Sequence, residues 1–228
     1  MRRPLKLQSL RKVRELGIPI ETVIDVGVLT GTGELMAAFP DKKHLLIEPI
    51  VEWNERIRQS YSSKGIDFDL VNVAASNANG RTNMETGTVV PGKPISHARL
   101  TNKALGASVR EVEVRTLDTL LDEHRHPAPY LLKIDVDGVE LLILEGARDK
   151  TLGQTNVVVI EANIRNFLER AAFLQGEGFE LFDIVDPCYY DGRLRQFDLV
   201  FLNSKIVNEK NLDMYKQAFD MEKWVPYR

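Results

Sequence analysis

The chain has 228 residues, of which 43% are hydrophobic and 28% are charged, and these are ordinary values for a globular α/β domain. The net charge of −3 argues against a protein that holds nucleic acid by bulk electrostatics, so we expect no nucleic-acid partner. The single cysteine, Cys188, excludes an intrachain disulfide and fits the reducing cytoplasm, and no apolar run approaches the roughly 20 residues of a membrane span. These features favour a single cytoplasmic domain over residues 1–228.

The predicted secondary structure begins with a leading amphipathic helix within residues 1–20, because Leu7, Leu10, Val13 and Leu16 recur at helical spacing. Strand-like apolar runs then alternate with helical patterns, which predicts βαβ units and a doubly wound, Rossmann-like, mostly parallel sheet. The seven predicted strands cover residues 22–27, 44–48, 68–74, 130–136, 157–162, 180–185 and 197–202. The predicted helices that follow the leading one cover residues 34–39, 52–64, 138–147 and 165–177.

The last two predicted strands depart from this alternation. Only residues 186–196 separate them, and Pro187, Asp191 and Gly192 in this segment are turn residues. The segment is too short for a helical crossover, which parallel strands require. We therefore predict a hairpin that places one antiparallel strand in the seven-stranded sheet.

Residues 77–109 depart from the alternation in another way, since they are rich in glycine and proline and show little periodicity. A structureless segment of this length is usually functional or disordered. It follows the third strand, so it should emerge at the ligand edge of the sheet. We predict a loop that covers the substrate, with a mobile insertion that has no role as the alternative.

A glycine-rich turn follows the first predicted strand, and Glu48 ends the second. The turn has Asp25, Gly27, Gly31 and Gly33 in the pattern D-x-G-x-x-x-G-x-G. In a doubly wound domain these positions form a nucleoside site, where the glycines allow close approach and the second-strand acid can accept two hydrogen bonds from a ribose. The spacing differs from the dinucleotide fingerprint G-x-G-x-x-G, and an acid before the first glycine is unhelpful for a pyrophosphate. It suits a ligand with an ammonium group and no phosphate, as in S-adenosylmethionine, with a plain tight turn as the alternative.

Four sequence blocks carry a resemblance to a known family. They are residues 23–27 with Gly31-Thr32, residues 46–49, residues 115–118 and residues 132–140, and Leu144, Gly146 and Ala147 complete the last block. The last block has the pattern K-I-D-x-x-G-x-E-x-x-x-L-x-G-A, and the set resembles the FkbM-type family of S-adenosylmethionine-dependent methyltransferases. The resemblance implies a class I methyltransferase fold and methyl transfer to a hydroxyl oxygen of a sugar or other natural product. Many members have Ala-Asn in place of Val28-Leu29, and many have Glu or Gln in place of Asp137.

The resemblance and the strand ends together assign cofactor-binding residues. Gly27 and Gly31 should line the cofactor, and Glu48 should hold its ribose hydroxyls. Asp25 should lie beneath the glycine loop and help to hold the methionine ammonium, directly or through water, unless it only accepts N–H groups of the turn. After the third strand, Asn72 and the small residues around Ala74 should meet the adenine. The alternative for Asn72 is a side chain that points to water.

Asp135 ends the fourth predicted strand, and we predict that it lies closest to the transferring methyl group. An acceptor alcohol must lose a proton, so a general base near the acceptor is useful. Asp135 and His97 are the catalytic candidates, and Glu161 follows the fifth strand, where it could face the acceptor. We assign no metal, although Asp135, Asp137 and Glu140 could make an oxygen-rich Mg²⁺ site instead of capping the next helix.

The sequence therefore predicts a cytoplasmic, S-adenosylmethionine-dependent O-methyltransferase that acts on a small molecule or a glycan. One alternative is a nicotinamide-dependent oxidoreductase, which the glycine spacing disfavours. Another is a non-catalytic nucleoside-binding module, which the intact glycine loop and K-I-D block disfavour.

Overall fold

The computed structural model describes residues 3–88, 95, 97–106, 108–213 and 216–225, and for His97 it describes only the backbone. In chain order the strands of this part are β1 (Thr22–Val26), β2 (Lys43–Ile47), β3 (Phe68–Val71), β4 (Ala74–Ala75), β5 (Gly80–Gly87), β6 (His97–Thr101), β7 (Val109–Arg115), β8 (Tyr130–Ile134), β9 (Thr155–Asn163), β10 (Phe179–Tyr190) and β11 (Arg193–Asn203). They form a seven-stranded sheet, in the order β10-β11-β9-β8-β1-β2-β3, and a four-stranded sheet, in the order β4-β7-β5-β6.

The seven-stranded sheet confirms the predicted α/β architecture. Strands β3, β2, β1, β8 and β9 run parallel, whereas β11 runs antiparallel to both β9 and β10. The predicted hairpin is therefore present, and β11 is the one antiparallel strand. The two hairpin strands extend to Tyr190 and Arg193, so most of the segment predicted as a turn is strand.

The helices are α1 (Lys6–Glu15), α2 (Gly33–Ala38), α3 (Asn54–Ser62), α4 (Leu117–His124), α5 (Glu140–Glu145), α6 (Phe167–Gly176) and α7 (Ser204–Glu209), with short 3₁₀ helices at Val51–Trp53, Leu152–Gln154 and Met221–Lys223. The leading helix and the four later predicted helices are found, while α4 and α7 were not predicted. Thr116 begins α4 by accepting a hydrogen bond from the Thr119 N–H at 3.1 Å. Across the described residues, no helix is both long enough and apolar enough to cross a membrane.

Helices cover both faces of the seven-stranded sheet because neighbouring strand residues point to opposite sides. Val23 packs in a core with Leu10 of α1 and Leu35 of α2. The next residue, Ile24, packs on the other face, in a core with Leu120 of α4 and further residues of α5 and α6. All five residues of β1 and all five of β8 are buried, so the centre of the sheet is a rigid platform whose strand ends can hold a site.

The prediction of a structureless loop over residues 77–109 is wrong for most of its described part. Residues 80–87 and 97–101 form β5 and β6, and β5 pairs with β6 on one side and with β7 on the other in the four-stranded sheet. These strands are largely polar, and Met84 is the one fully buried side chain of β5. These residues are strands because their backbones pair with strands distant in the sequence, and not because they have an alternating pattern of apolar residues. Residues 89–94, 96 and 107 lie outside the described part.

Candidate functional site

The first turn of the site is fixed by a close approach between two backbones. Gly27 follows β1 with φ of +82°, and a Cβ atom at this position would lie 1.9 Å from the carbonyl oxygen of Asp135. In return, the Asp135 N–H donates to the carbonyl of Val26 at 3.1 Å. Gly27 is therefore required by the packing of the chain itself, a reason beyond the ligand approach that the sequence suggested.

A cavity of about 320 Å³ opens at the carboxyl ends of β1, β2 and β8, and we call it the glycine-loop cavity. It brings together four of the predicted residues, namely Gly27, Gly31, Glu48 and Asp135. Its volume is within the range of small-molecule sites. The predicted location of the site, at the ends of the first, second and fourth strands of the parallel sheet, agrees with this cavity.

Glu48 is 3% exposed, and its carboxylate faces this cavity while it organises the loops around it. One oxygen accepts the Leu29 N–H at 2.7 Å, and the other accepts the Ile50 N–H at 2.9 Å. Burial raises the pKa of Glu48, and these two hydrogen bonds oppose that rise. Leu29 has φ of +51°, a left-handed conformation that is strained for leucine and that aims its N–H at Glu48.

Asp25 does not reach the cavity. It is fully buried, and its carboxylate lies 3.0 Å from the Lys133 ammonium, with the Tyr61 hydroxyl at 3.4 Å. Lys133 also donates to the Gly27 carbonyl at 2.7 Å and lies 3.5 Å from Asp135. Burial opposes the charge of Lys133, but Asp25 and Asp135 raise its pKa. Asp25 therefore exposes no surface that a ligand ammonium could contact directly, and it pairs instead with Lys133, a residue given no role from sequence.

Asn72 and Ala74 have different surroundings. The Asn72 amide donates to the Glu48 carbonyl and exchanges hydrogen bonds with Asn54, each at 2.8 Å. These bonds hold Asn72 against the backbone at the end of β2. The side chain was predicted to contact adenine or to point to water, and its observed partners are instead Glu48 and Asn54. Ala74 lines a second cavity of about 50 Å³, which we call the apolar pocket and which also has Ile47 and Met84 in its walls.

The apolar pocket and the glycine-loop cavity are neighbours, because Gly27, Pro49, Ala98, Val136 and Asp137 line both. Ala98 belongs to β6, so the four-stranded sheet forms part of the wall of both. Its N–H donates to the Asp137 carboxylate at 3.0 Å, which attaches this sheet to the end of β8. The covering role predicted for residues 77–109 is consistent with this contact.

Helix α1 also contributes to the glycine-loop cavity through Lys6. The Lys6 ammonium lies 2.6 Å from Asp198 of β11, and its pKa is raised by Asp198 against the effect of burial. Sequence analysis gave Lys6 no role. Lys6 lies at the start of an amphipathic helix, next to its apolar stripe, and this position was the one sign in the sequence that its side chain could be buried.

A third cavity, of about 520 Å³, lies beside the other two, and we call it the polar cavity. Polar and charged side chains dominate its lining, including those of Glu161, Asn163, Asn166, Arg195 and Gln196. It shares Val136 and Asp137 with the glycine-loop cavity, so the two adjoin at the end of β8. His97 is the first residue of β6 and its backbone pairs with Gly87, but its side chain is outside the described part, so its catalytic role stays a prediction.

The Mg²⁺ alternative is not supported by the geometry. Glu140 is 1% exposed and forms an ion pair with Arg170, while Asp137 accepts the Ala98 N–H. Within the described residues, the one group of three side chains at metal-ligand distances of each other is Asp69, His124 and His126, within 4.8 Å. That group lies away from all three cavities, and the Lys43 ammonium already lies 3.3 Å from Asp69.

The fold and the cavity at its strand ends define a protein of the class I methyltransferase type. The sequence matches the family model described as the methyltransferase FkbM domain over residues 25–181, which is more than half of the chain. The chain therefore belongs to the FkbM methyltransferase family, as its sequence blocks predicted.

Solved structures agree with this assignment at the level of the fold. The chain is similar to the methyltransferase FkbM from Methylobacillus flagellatus KT, with a TM-score of 0.55 and 17% identity over 81% of this chain and 45% of that one. It is also similar to an rRNA methylase from Streptococcus thermophilus, with a TM-score of 0.50 and 12% identity over 89% of this chain and 98% of that one. The chain spans less than half the length of the first relative. A search of curated proteins finds no match.

Proposed function

We propose that the protein is an S-adenosylmethionine-dependent methyltransferase that acts on a hydroxyl oxygen of a small-molecule or glycan acceptor. The observation that carries this proposal is the glycine-loop cavity with Glu48 at its edge. Each Glu48 oxygen accepts one backbone N–H and keeps a second lone pair. The carboxylate can therefore accept both hydroxyls of a ribose without giving up the bonds that hold it in position.

The charge of the cavity supports a cationic ligand. Its lining has two lysines, Lys6 and Lys133, against four carboxylates, those of Glu34, Glu48, Asp135 and Asp137. Excess negative charge attracts a sulfonium or an ammonium and repels a pyrophosphate. This balance favours S-adenosylmethionine over a nicotinamide dinucleotide.

The surrounding residues fit the remaining parts of this cofactor. S-adenosylmethionine supplies a methyl group that is activated on a positively charged sulfonium. Asp135, whose carboxylate is 39% exposed, would hold the ammonium group. Ala74 and Met84 of the apolar pocket would contact one edge of the adenine, because a volume of about 50 Å³ is too small to enclose the whole base. Asp25 would act indirectly, because it fixes Lys133, which in turn fixes the Gly27 carbonyl.

The polar cavity supports a hydroxylated acceptor. It adjoins the glycine-loop cavity, and Asn163, Asn166 and Gln196 in its lining offer amide groups that can both donate to and accept from hydroxyls. The side-chain oxygens of Asn163 and Asn166 each accept one backbone N–H, and the Gln196 amide donates to Glu161, so each amide keeps further hydrogen-bonding capacity that a hydroxylated acceptor can use and an apolar one cannot. We therefore propose a sugar or another polyhydroxylated compound, and no nucleic-acid acceptor.

Titration calorimetry tests the cofactor. S-adenosylmethionine and S-adenosylhomocysteine should bind, and NAD should not. Glu48→Ala should weaken binding of S-adenosylmethionine roughly ten- to hundredfold, because charge-assisted hydrogen bonds are worth about 1.5–3 kcal/mol. Glu52→Ala is the control, since Glu52 is an exposed acid that pairs with Arg110.

Near-ultraviolet circular dichroism should show that Glu48→Ala keeps its fold, and Glu48→Gln provides a second variant if it does not. Unchanged affinity in a folded Glu48 variant, or tighter binding of NAD, would contradict the proposed site. Release of S-adenosylhomocysteine in the presence of mono- and oligosaccharides then tests methyl transfer, with a short RNA as the competing acceptor class. Binding without turnover on any of them would favour a non-catalytic module.

A further inference from the structure

We propose that Glu161, which lines the polar cavity next to its junction with the glycine-loop cavity, is the group that takes the proton from the acceptor hydroxyl. This inference rests on the proposed methyl transfer and adds to it a proton acceptor, a role for which sequence analysis named Asp135 and His97.

Glu161 lies where the two cavities meet. It is the seventh residue of β9, directly opposite Asp198 of β11, and it lines the polar cavity. The Asp135 side chain, which lines the glycine-loop cavity, is in hydrogen-bonding contact with it. A second carboxylate in such contact disfavours a negative charge on Glu161, because two negative charges at that distance repel each other. The pair therefore connects the cofactor side of the site with the acceptor side.

Acids surround Glu161, and within the described residues its carboxyl has no ion pair, although Arg170 attracts it from nearby. Asp135 from the end of β8, Glu140 from α5 and Asp198 from β11 all face it. Arg170 of α6 forms an ion pair with Glu140 and donates to the backbone carbonyl of Glu161 at 2.5 Å. The Lys6 ammonium pairs with Asp198, and the Lys133 ammonium pairs with Asp25 and lies 3.5 Å from Asp135.

One neutral donor reaches the Glu161 carboxyl directly, since the Gln196 amide donates to one of its oxygens. Burial, followed by the carboxylates of Asp135, Glu140 and Asp198, raises the pKa of Glu161 to about 8. A proton acceptor works best when its pKa lies near the pH at which it operates. The value therefore suits a group that takes up a proton and returns it to water near neutral pH.

The other carboxyl groups of the polar cavity already have partners. Glu140 is neutralised by Arg170, and Asp137 accepts a backbone N–H. Glu85 is paired with both Arg99 and Lys103, which lowers its pKa and makes it a poor base. Burial also raises the pKa of Glu140, but Arg170 opposes that rise, whereas the pKa of Glu161 is raised to about 8.

The acceptor oxygen forms a bond to the methyl carbon while the carbon–sulfur bond breaks, and both electrons of that bond stay on sulfur. The hydroxyl proton passes to the ionised Glu161 carboxylate, which becomes neutral. About one tenth of Glu161 is ionised one pH unit below its pKa, so turnover should rise with pH up to about 8.

Carbon-13 NMR of protein labelled at the glutamate carboxyl carbons tests the proton site without any acceptor. The wild type should show one glutamate that titrates near pH 8, and Glu161→Gln should lose that titration. Glu111→Gln, an exposed glutamate on β7 that pairs with Arg81, should keep it. Asp135→Asn should lower the midpoint, since it removes a neighbouring carboxylate that raises the pKa of Glu161.

A hydroxylated acceptor from the S-adenosylhomocysteine-release screen then tests catalysis. Glu161→Gln should lower kcat by about 10²- to 10⁴-fold and remove the rise with pH, while the KM for the acceptor and the Kd for S-adenosylmethionine change little. If no glutamate titrates above pH 6, or if Glu161→Gln keeps the wild-type kcat, the inference is overturned. If the titration is present but S-adenosylmethionine does not bind, the proposed function fails while the raised pKa of Glu161 stands.

Discussion

Removing the Lys133 ammonium should strongly destabilise the protein, because it neutralises a carboxylate that has no access to water. Asp25 is 0% exposed, and the side chain of Lys133 is 3% exposed. Lys133→Met keeps the length of the side chain but leaves Asp25 charged and buried. The Tyr61 hydroxyl, at 3.4 Å, is too long a hydrogen bond to replace the ammonium at 3.0 Å.

Loss of one partner of a buried ion pair costs about 3–5 kcal/mol. For a chain of this size each kcal/mol corresponds to roughly 2–4 °C in Tm, so Lys133→Met should lower Tm by about 6–20 °C. The Gly27 carbonyl also loses its partner at 2.7 Å. Affinity for S-adenosylmethionine should therefore fall together with stability.

Urea denaturation of three variants measures this effect. Lys133→Met should show the full loss, and Lys133→Met combined with Asp25→Asn should recover a large part of it, because the uncompensated charge is gone. Lys150→Met is the matched control, since Lys150 forms an exposed ion pair with Asp122 and its loss should change stability little. A Lys133→Met loss below about 1 kcal/mol, or a double variant less stable than the single one, would refute the reasoning.

Two further predictions concern packing and pH. Gly146→Ala should be clearly less stable than the wild type in urea, because a Cβ atom at this position would lie 2.1 Å from the Ser76 carbonyl oxygen; Gly153→Ala, where a Cβ atom meets nothing within 4 Å, should be tolerated, and equal stability of the two would contradict the contact. The pKa of Glu161 is raised from its ordinary value of 4.5 to about 8 in the folded protein. Protonated Glu161 therefore contributes its full free energy of stabilisation below pH 4.5, and this stabilisation is lost as the pH rises through about 8. Glu161→Gln should therefore gain Tm relative to the wild type as the pH rises from 5 to 9 in differential scanning calorimetry, and a constant difference across this range would show that Glu161 has no raised pKa.

The sequence predicted the larger sheet well because its strands are apolar and regularly spaced. Residues 22–27 and 130–136 contain β1 and β8, and burial on both faces gives such strands a continuous apolar run. The four-stranded sheet was missed, because β5 buries only Met84 completely and its other residues are polar. Pairing between β5 and β7 is a long-range property that no local pattern in β5 reveals.

The position of the site in the fold was predicted better than the ion pairs around it. Gly27, Gly31, Glu48 and Asp135 meet in one cavity because strand ends in a parallel sheet share an edge. Asp25 was predicted to help hold the methionine ammonium. The sequence alone does not show that Lys133 lies opposite Asp25 in the register of β1 and β8. A lysine inside an otherwise apolar strand was the available signal, since a buried charge needs a partner.

The excess of carboxylates in the glycine-loop cavity has a consequence for turnover. On the proposed function, the incoming cofactor carries a sulfonium charge, and the product that leaves after methyl transfer has a neutral thioether in its place. The acids that attract S-adenosylmethionine therefore hold S-adenosylhomocysteine less tightly, since the attraction to the sulfonium charge is lost after methyl transfer. Inhibition by S-adenosylhomocysteine should be weak at low ionic strength. Added salt should reduce the difference in affinity between S-adenosylmethionine and S-adenosylhomocysteine, because salt screens the charge interaction.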